Sequence, residues 1–164
     1  RIAVFGHSVG AGAALLAASR RTDVAAVVSV AAFCHPAAMM RRWLAAKRIP
    51  ERPLGRYILA YVQRTIGHRF DDIAPVTTVA RVRCPVLLVH GADDDVVPLE
   101  DARRIFAART HEAVELLVLG GNHDSFADLE QHMAQLVAFL RSATLPRSGD
   151  GLPRQEPPPA DAKR

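Results

Sequence analysis

Ser8 sits at the centre of Gly6-His7-Ser8-Val9-Gly10, a G-x-S-x-G pentapeptide. Before it runs the apolar Ile2-Ala3-Val4-Phe5, which reads as a strand. After it, residues 9–20 are nearly all small or apolar and read as a helix. A serine in this setting carries a definite chemistry. The chain must turn sharply from strand to helix, which projects the hydroxyl from the top of a sheet. The turn strains the serine backbone, and side chains at Gly6 and Gly10 are both expected to collide there. Ser8 then stands at a helix N-terminus, where unpaired N–H groups and the dipole favour developing negative charge. The backbone N–H of Val9 is the expected first oxyanion donor.

A serine hydroxyl is a weak nucleophile without a base. For a serine on a strand-to-helix turn, an acid and then a histidine are expected later in the chain. Both follow. Val89-His90-Gly91-Ala92-Asp93-Asp94-Asp95-Val96-Val97-Pro98 sets three carboxylates after an apolar run, and residue type alone leaves Asp93, Asp94 and Asp95 open as the acid. Leu119-Gly120-Gly121-Asn122-His123-Asp124 sets a histidine in a glycine-rich turn after another apolar run. A metal reading of His123 and Asp124 lacks further ligands at helical spacing. Of the other histidines, His7 is expected to pack within the elbow and His90 to bond local backbone. His35, His68, His111 and His132 show no partner pattern.

These segments together resemble the α/β-hydrolase superfamily, whose members often read strand, then H-G-x-x-D-x-V-V-P, with the acid three residues after the glycine. In that family the catalytic histidine occupies a glycine-rich turn after the last strand. The resemblance covers residues 1–142 and implies Ser8 as nucleophile, His123 as base and Asp94 as the residue that orients the base. It implies acyl transfer from a small-molecule substrate through an acyl-enzyme, with no metal or organic cofactor. Serine at the elbow fits esterase, lipase, thioesterase, amidase or peptidase chemistry rather than that of haloalkane dehalogenases. An ester-type bond is the leading expectation. A serine peptidase of the prolyl-oligopeptidase type is the rival among enzymes, and a non-catalytic or truncation-inactivated binding protein of the same fold is the rival outside them.

The elements that must carry these residues are legible as alternating runs. Val24–Val30, Pro85–His90 and Ala113–Leu119 read as strands buried on both faces, with Glu115 marking an edge. Helices are expected over 98–109 and over 124–141, where Phe126, Leu129, Met133, Leu136, Val137 and Leu140 form one stripe. The alternation predicts a doubly wound, mostly parallel α/β sheet. Residues 35–83 form an insertion with helices over 39–48 and 54–66. Its apolar face is read as Leu54, Tyr57, Ile58, Tyr61, Val62 and Ile66. That face either packs on the body or forms a cap over a pocket, with Trp43, Tyr57 and Tyr61 as candidate lining residues. The proline- and arginine-rich tail, 143–164, is expected to be disordered.

Composition bounds the remaining choices. The 164 residues suffice for one domain, and 49% hydrophobic with 23% charged residues is ordinary for a globular protein. Arg41, Arg42, Lys47, Arg48, Arg52 and Arg56 read as a solvated helix face, since no aromatic interleaving or nucleic-acid motif accompanies them. Nucleic acid and a membrane span are not expected. Cys34 and Cys84 show no metal or redox spacing and, with no visible leader, point to the cytoplasm. In the superfamily, strands precede the elbow strand, and an early loop supplies the second oxyanion donor. Neither is present here, so the chain is expected to be the catalytic portion of a longer protein, with the first strand left as a bare edge.

Overall fold

The computed structural model describes residues 2–126 and 129–144. Four strands, β1 (Ile2–His7), β2 (Val24–Val30), β3 (Val86–Gly91) and β4 (Val114–Leu119), form one sheet in the order β1-β2-β3-β4, and every pairing is parallel. Sequential parallel strands require crossovers, and helices supply them. α1 (Val9–Arg20) joins β1 to β2, and α6 (Leu99–Ala107) joins β3 to β4. The last helix, α7 (Leu129–Thr144), packs on β1 and β2.

The central strands read as apolar runs because both faces are covered. On one face Ala11, Ala14, Leu15 and Ala18 of α1 meet Val27, Val86, Leu88 and Ile105. Small side chains bring α1 close to the sheet, as its composition predicts. On the other face Val28, Val30, Leu87, Val89 and Leu119 pack against Leu136, Phe139 and Leu140 of α7. β4 is an edge strand with Glu115 exposed, as expected. β1 is the opposite edge. Ile2 and Phe5 are exposed along it, so its apolar side chains are only partly covered among the described residues.

Several elements differ from the sequence reading. The helix expected from residue 124 is described over Leu129–Thr144, and residues 124–126 are not helical, because Asn122, Ser125 and Phe126 are engaged in the preceding loop. In α7, Met133 and Val137 are exposed while Phe139, absent from the expected stripe, turns inward beside Leu136 and Leu140. The helix also runs through residues 143 and 144. The rest of the expected disordered tail lies outside the described residues.

The insertion carries α2 (Pro36–Ala46), a kinked turn (Glu51–Gly55), α3 (Arg56–Ile66) and two single-turn helices, α4 (Phe70–Ile73) and α5 (Pro75–Thr78). It has its own small core of Ala37, Leu59 and Phe70, supported by Met40, Val62 and Ile73. Pro36 starts α2, and the His35 Nδ1 accepts from the Ala37 N–H at 3.2 Å. Gly67, at φ 71°, ends α3 in the left-handed conformation that glycine adopts without penalty. Asp101, in the first turn of α6, ties the insertion to the body. It accepts from the Cys34 N–H at 3.1 Å and from Arg42 Nη2 at 2.6 Å. Burial opposes the Asp101 charge, yet Arg42 and the Cys34 N–H outweigh it and hold its pKa below the usual carboxylate value.

Candidate active site

Parallel strands deliver their C-terminal ends to one side of the sheet, and the chemistry-bearing residues all follow such ends. Ser8 follows β1, the loop bearing Asp94 follows β3, and the loop bearing His123 follows β4. The Ser8 N–H donates to the Val30 carbonyl at 2.9 Å, which anchors the turn to β2. Its backbone lies at φ 53°, ψ −114°, a region that costs a non-glycine residue strain. The strained backbone expected at Ser8 is therefore observed. The two elbow glycines differ, however. A Cβ at Gly6 would collide with the Gly10 carbonyl and stand 2.8 Å from the Ala11 nitrogen. A Cβ at Gly10 would meet nothing within 4 Å. The expectation of a collision at Gly10 is thus corrected. Gly10 lies on the exposed side of the first helical turn, and it is its backbone oxygen that requires Gly6 to lack a side chain.

His123 spans the gap between the other two residues. Its Nδ1 lies 2.8 Å from Asp94 Oδ2 and its Nε2 lies 3.1 Å from Ser8 Oγ. With Nδ1–H donating to the carboxylate, Nε2 is the acceptor for the serine hydroxyl. Asp94 is buried and held from its other oxygen, where Oδ1 accepts from the Val96 N–H at 2.9 Å and the Val97 N–H at 2.7 Å. Among the three adjacent carboxylates, Asp94 is the one that faces His123. Asp93 and Asp95 are exposed. His90 is fully buried behind the acid, and its Nε2–H donates to the Val97 carbonyl at 2.8 Å, the local backbone bond expected for it. Val9 is the first residue of α1, so its N–H is one of those with no partner inside the helix.

Close approach of the two loops depends on a glycine that the sequence pattern contains but does not explain. A Cβ at Gly91 would stand 2.6 Å from the Gly121 carbonyl and 2.8 Å from the Asn122 carbonyl. The Asp93 N–H donates to the Gly121 carbonyl at 2.9 Å, so the acid loop and the histidine loop are laced backbone to backbone. Asn122 then closes the histidine loop, since its Oδ1 accepts from the Asp124 and Ser125 N–H groups. His7 was expected to pack. It does, with its ring 4.9 Å from the His123 ring, and its Nε2–H also donates to the His123 carbonyl at 2.9 Å.

Trp43, Tyr57 and Tyr61 are 56%, 67% and 58% exposed. Among the described residues, the side-chain bonds and ring contacts of Ser8, His123 and Asp94 run to other partners. Tyr57 and Tyr61 stack on each other at 6.3 Å. The reason lies in the phase of α3. Leu59 and Val62 face the small core, so the tyrosines, half a turn away, face out. Leu54 and Ile66, also assigned to the inward stripe, are exposed as well. The remaining histidines have local roles where contacts exist: His35 pairs with Asp71 at 3.0 Å and His111 meets the Val82 carbonyl at 3.0 Å.

Among the described residues, the group with metal-ligand spacing is His7, His123 and Asp124, within 4.8 Å of one another. Both ring nitrogens of His123 are engaged with Asp94 and Ser8, so an ion there would displace those contacts. Cys34 and Cys84 are free. Burial, and for Cys34 the neighbouring Asp101 as well, pushes both thiols up, which disfavours the reactive thiolate. No helix among the described residues is long and apolar enough to cross a membrane.

The sequence profile of the prolyl oligopeptidase family matches residues 1–144. An uncharacterised protein of Bacillus subtilis, YqkD, is 26% identical over 125 residues, covering 74% of this chain and 41% of that protein. Among solved structures, an esterase domain from Rhodothermus marinus superposes with a TM-score of 0.62 at 26% identity, covering 85% of this chain and 59% of that one. An acylaminoacyl peptidase from Pyrococcus horikoshii superposes with a TM-score of 0.64 at 16% identity, covering 93% and 25%, a likeness of fold. The chain thus spans less than two thirds of the length of these relatives.

Proposed function

We propose, from the premise that this chain belongs to the prolyl oligopeptidase family of α/β hydrolases, that it supplies the nucleophile, base and acid of a serine hydrolase. The observation that carries the reading is the continuous relay from Asp94 Oδ2 through His123 to Ser8 Oγ, with links of 2.8 and 3.1 Å. In this reading Ser8 Oγ attacks a substrate carbonyl carbon while His123 Nε2 takes its proton. Asp94 holds the imidazole in the required tautomer and stabilises the imidazolium. The Val9 N–H and the N-terminus of α1 face the developing oxyanion. The carbonyl re-forms as the leaving group departs with the proton from His123. Water, activated by the same histidine, then releases the acyl group from Ser8.

An ester-type bond is the primary reading, supported by the likeness to the Rhodothermus esterase domain. Peptide-bond hydrolysis is the second reading, favoured by the family match itself. Labelling by a fluorophosphonate probe tests the common core. A single adduct that disappears in Ser8→Ala is expected, and no adduct on the folded protein would turn the assignment toward a binding role. Paired assays on p-nitrophenyl esters and on N-acylated aminoacyl p-nitroanilides then separate ester from amide cleavage.

A further inference from the structure

We propose that His7, the variable residue of the G-x-S-x-G elbow, is a positioning residue that holds the His123 loop in register with Ser8. The proposal rests on the triad reading above, because it acts through His123. His7 closes β1 and is half-buried. A carbonyl only accepts, so the 2.9 Å contact with the His123 oxygen places a proton on His7 Nε2. The same ring packs 4.9 Å from the His123 ring at a tilt of 50°. One side chain therefore holds the base at two points, its main chain and its imidazole.

The other ties of this loop run elsewhere. Gly121 is bonded to Asp93 in the acid loop, and Asn122 bonds within its own loop. Among the described residues, His7 makes the hydrogen bond that links the elbow strand to the backbone of the histidine loop. The other bond between them is the reacting contact, His123 Nε2 to Ser8 Oγ. That contact must break and re-form as the proton passes from Ser8 to His123 and on to the leaving group. Without the His7 bond, the direct tie between this loop and the elbow strand would be the reacting hydrogen bond, which opens during the step, while the ties to the acid loop fix the base only to β3. The His7 bond persists through the step, because the His123 carbonyl takes no part in it. Its Nε2 is spent on that carbonyl, so the influence proposed for it is geometric.

Two variants separate the two grips. His7→Phe keeps a ring and removes the donor, whereas His7→Gln keeps an N–H donor of similar reach and removes the ring. Both are measured in the longest natural polypeptide that carries this sequence, with kcat, KM, Tm and the deshielded His123 Nδ1–H proton resonance as readouts. His7→Phe is expected to lower kcat about 10- to 100-fold, the scale of a sub-ångström to 1 Å misplacement. KM should stay within about twofold, since substrate binding is not touched. His7→Gln should restore most of kcat. Unchanged kcat in His7→Phe would overturn the proposal, as would equal loss of kcat and Tm in both variants, which is the signature of packing alone. If the wild type neither labels nor turns over, the triad reading fails separately, and the resonance decides. Faster exchange of the His123 proton in His7→Phe but not in His7→Gln supports the brace, and equal exchange in all three overturns it.

Discussion

Gly91→Ala tests whether the backbone lacing of the acid and histidine loops sets the contact between His123 and Ser8. The added Cβ would stand 2.6 Å from the Gly121 oxygen and 2.8 Å from the Asn122 oxygen. Ordinary carbon–oxygen contacts begin at about 3.3 Å, so the Gly121 carbonyl must retreat by about 0.7 Å and its neighbour by about 0.5 Å. Neither obstacle is a flexible side-chain end. Both are main-chain atoms of the loop that carries the next residue, His123. A shift of that size passed to the imidazole would lengthen the 3.1 Å contact with Ser8 Oγ to the limit of hydrogen-bond reach or beyond. The expected result is an about 10- to 100-fold slower labelling of Ser8 by a fluorophosphonate, matched by a similar fall in kcat on an activated ester. The overpacking itself should cost about 1–3 kcal/mol of stability, read as a lower Tm with the circular dichroism spectrum retained. Gly10→Ala is the control, because its Cβ meets nothing within 4 Å, and it should label at close to the wild-type rate. Wild-type labelling by Gly91→Ala would refute the reasoning, since it would mean that the loops can separate without moving the base.

Two further outcomes follow from the geometry. Asp94→Asn should keep the fold and the Val96 and Val97 contacts through its amide oxygen, yet lower kcat by about 10⁴-fold by leaving His123 without its carboxylate partner, as steady-state kinetics would report. Asp101→Asn should lower stability at neutral pH by about 2–4 kcal/mol in chemical denaturation, because it strips the charge from a buried carboxylate paired with Arg42. The pH dependence has a definite sign. The folded-state pKa of Asp101 is depressed, so its contribution is full above the unfolded value of about 3.9 and is lost as pH falls through the lower folded value. The wild type should therefore lose stability more steeply than Asp101→Asn as pH falls from about 3.9 through the lower folded value, and parallel acid limbs there would sink the assignment.

The strands, the sharp serine turn and the succession of a serine, three carboxylates and a histidine were legible in the sequence because each is a local pattern. Strands buried on both faces are continuous apolar runs, a strained serine turn needs a bare Gly6, and helices reveal themselves by small or periodic residues. Resemblance singled out Asp94 from three equivalent neighbours, but it is the tertiary structure that turns Asp94 toward His123 while Asp93 and Asp95 face solvent, and no local pattern encodes that. The phase of α3 is set in the same way. Tyr57, Tyr61 and Leu59 share one helical segment with little to distinguish their phase, and only packing against Phe70 and Ala37 decides that Leu59 turns inward. The apolar stripe of α7 extends back to Phe126, yet Asn122, Ser125 and Phe126 are claimed by the histidine loop, a competition that depends on where β3 and β4 bring the chain. The purposes of Gly91 and His7 were likewise invisible one-dimensionally. Their partners lie 30 and 116 residues away, and only the parallel sheet, by gathering strand ends on one side, places them in contact.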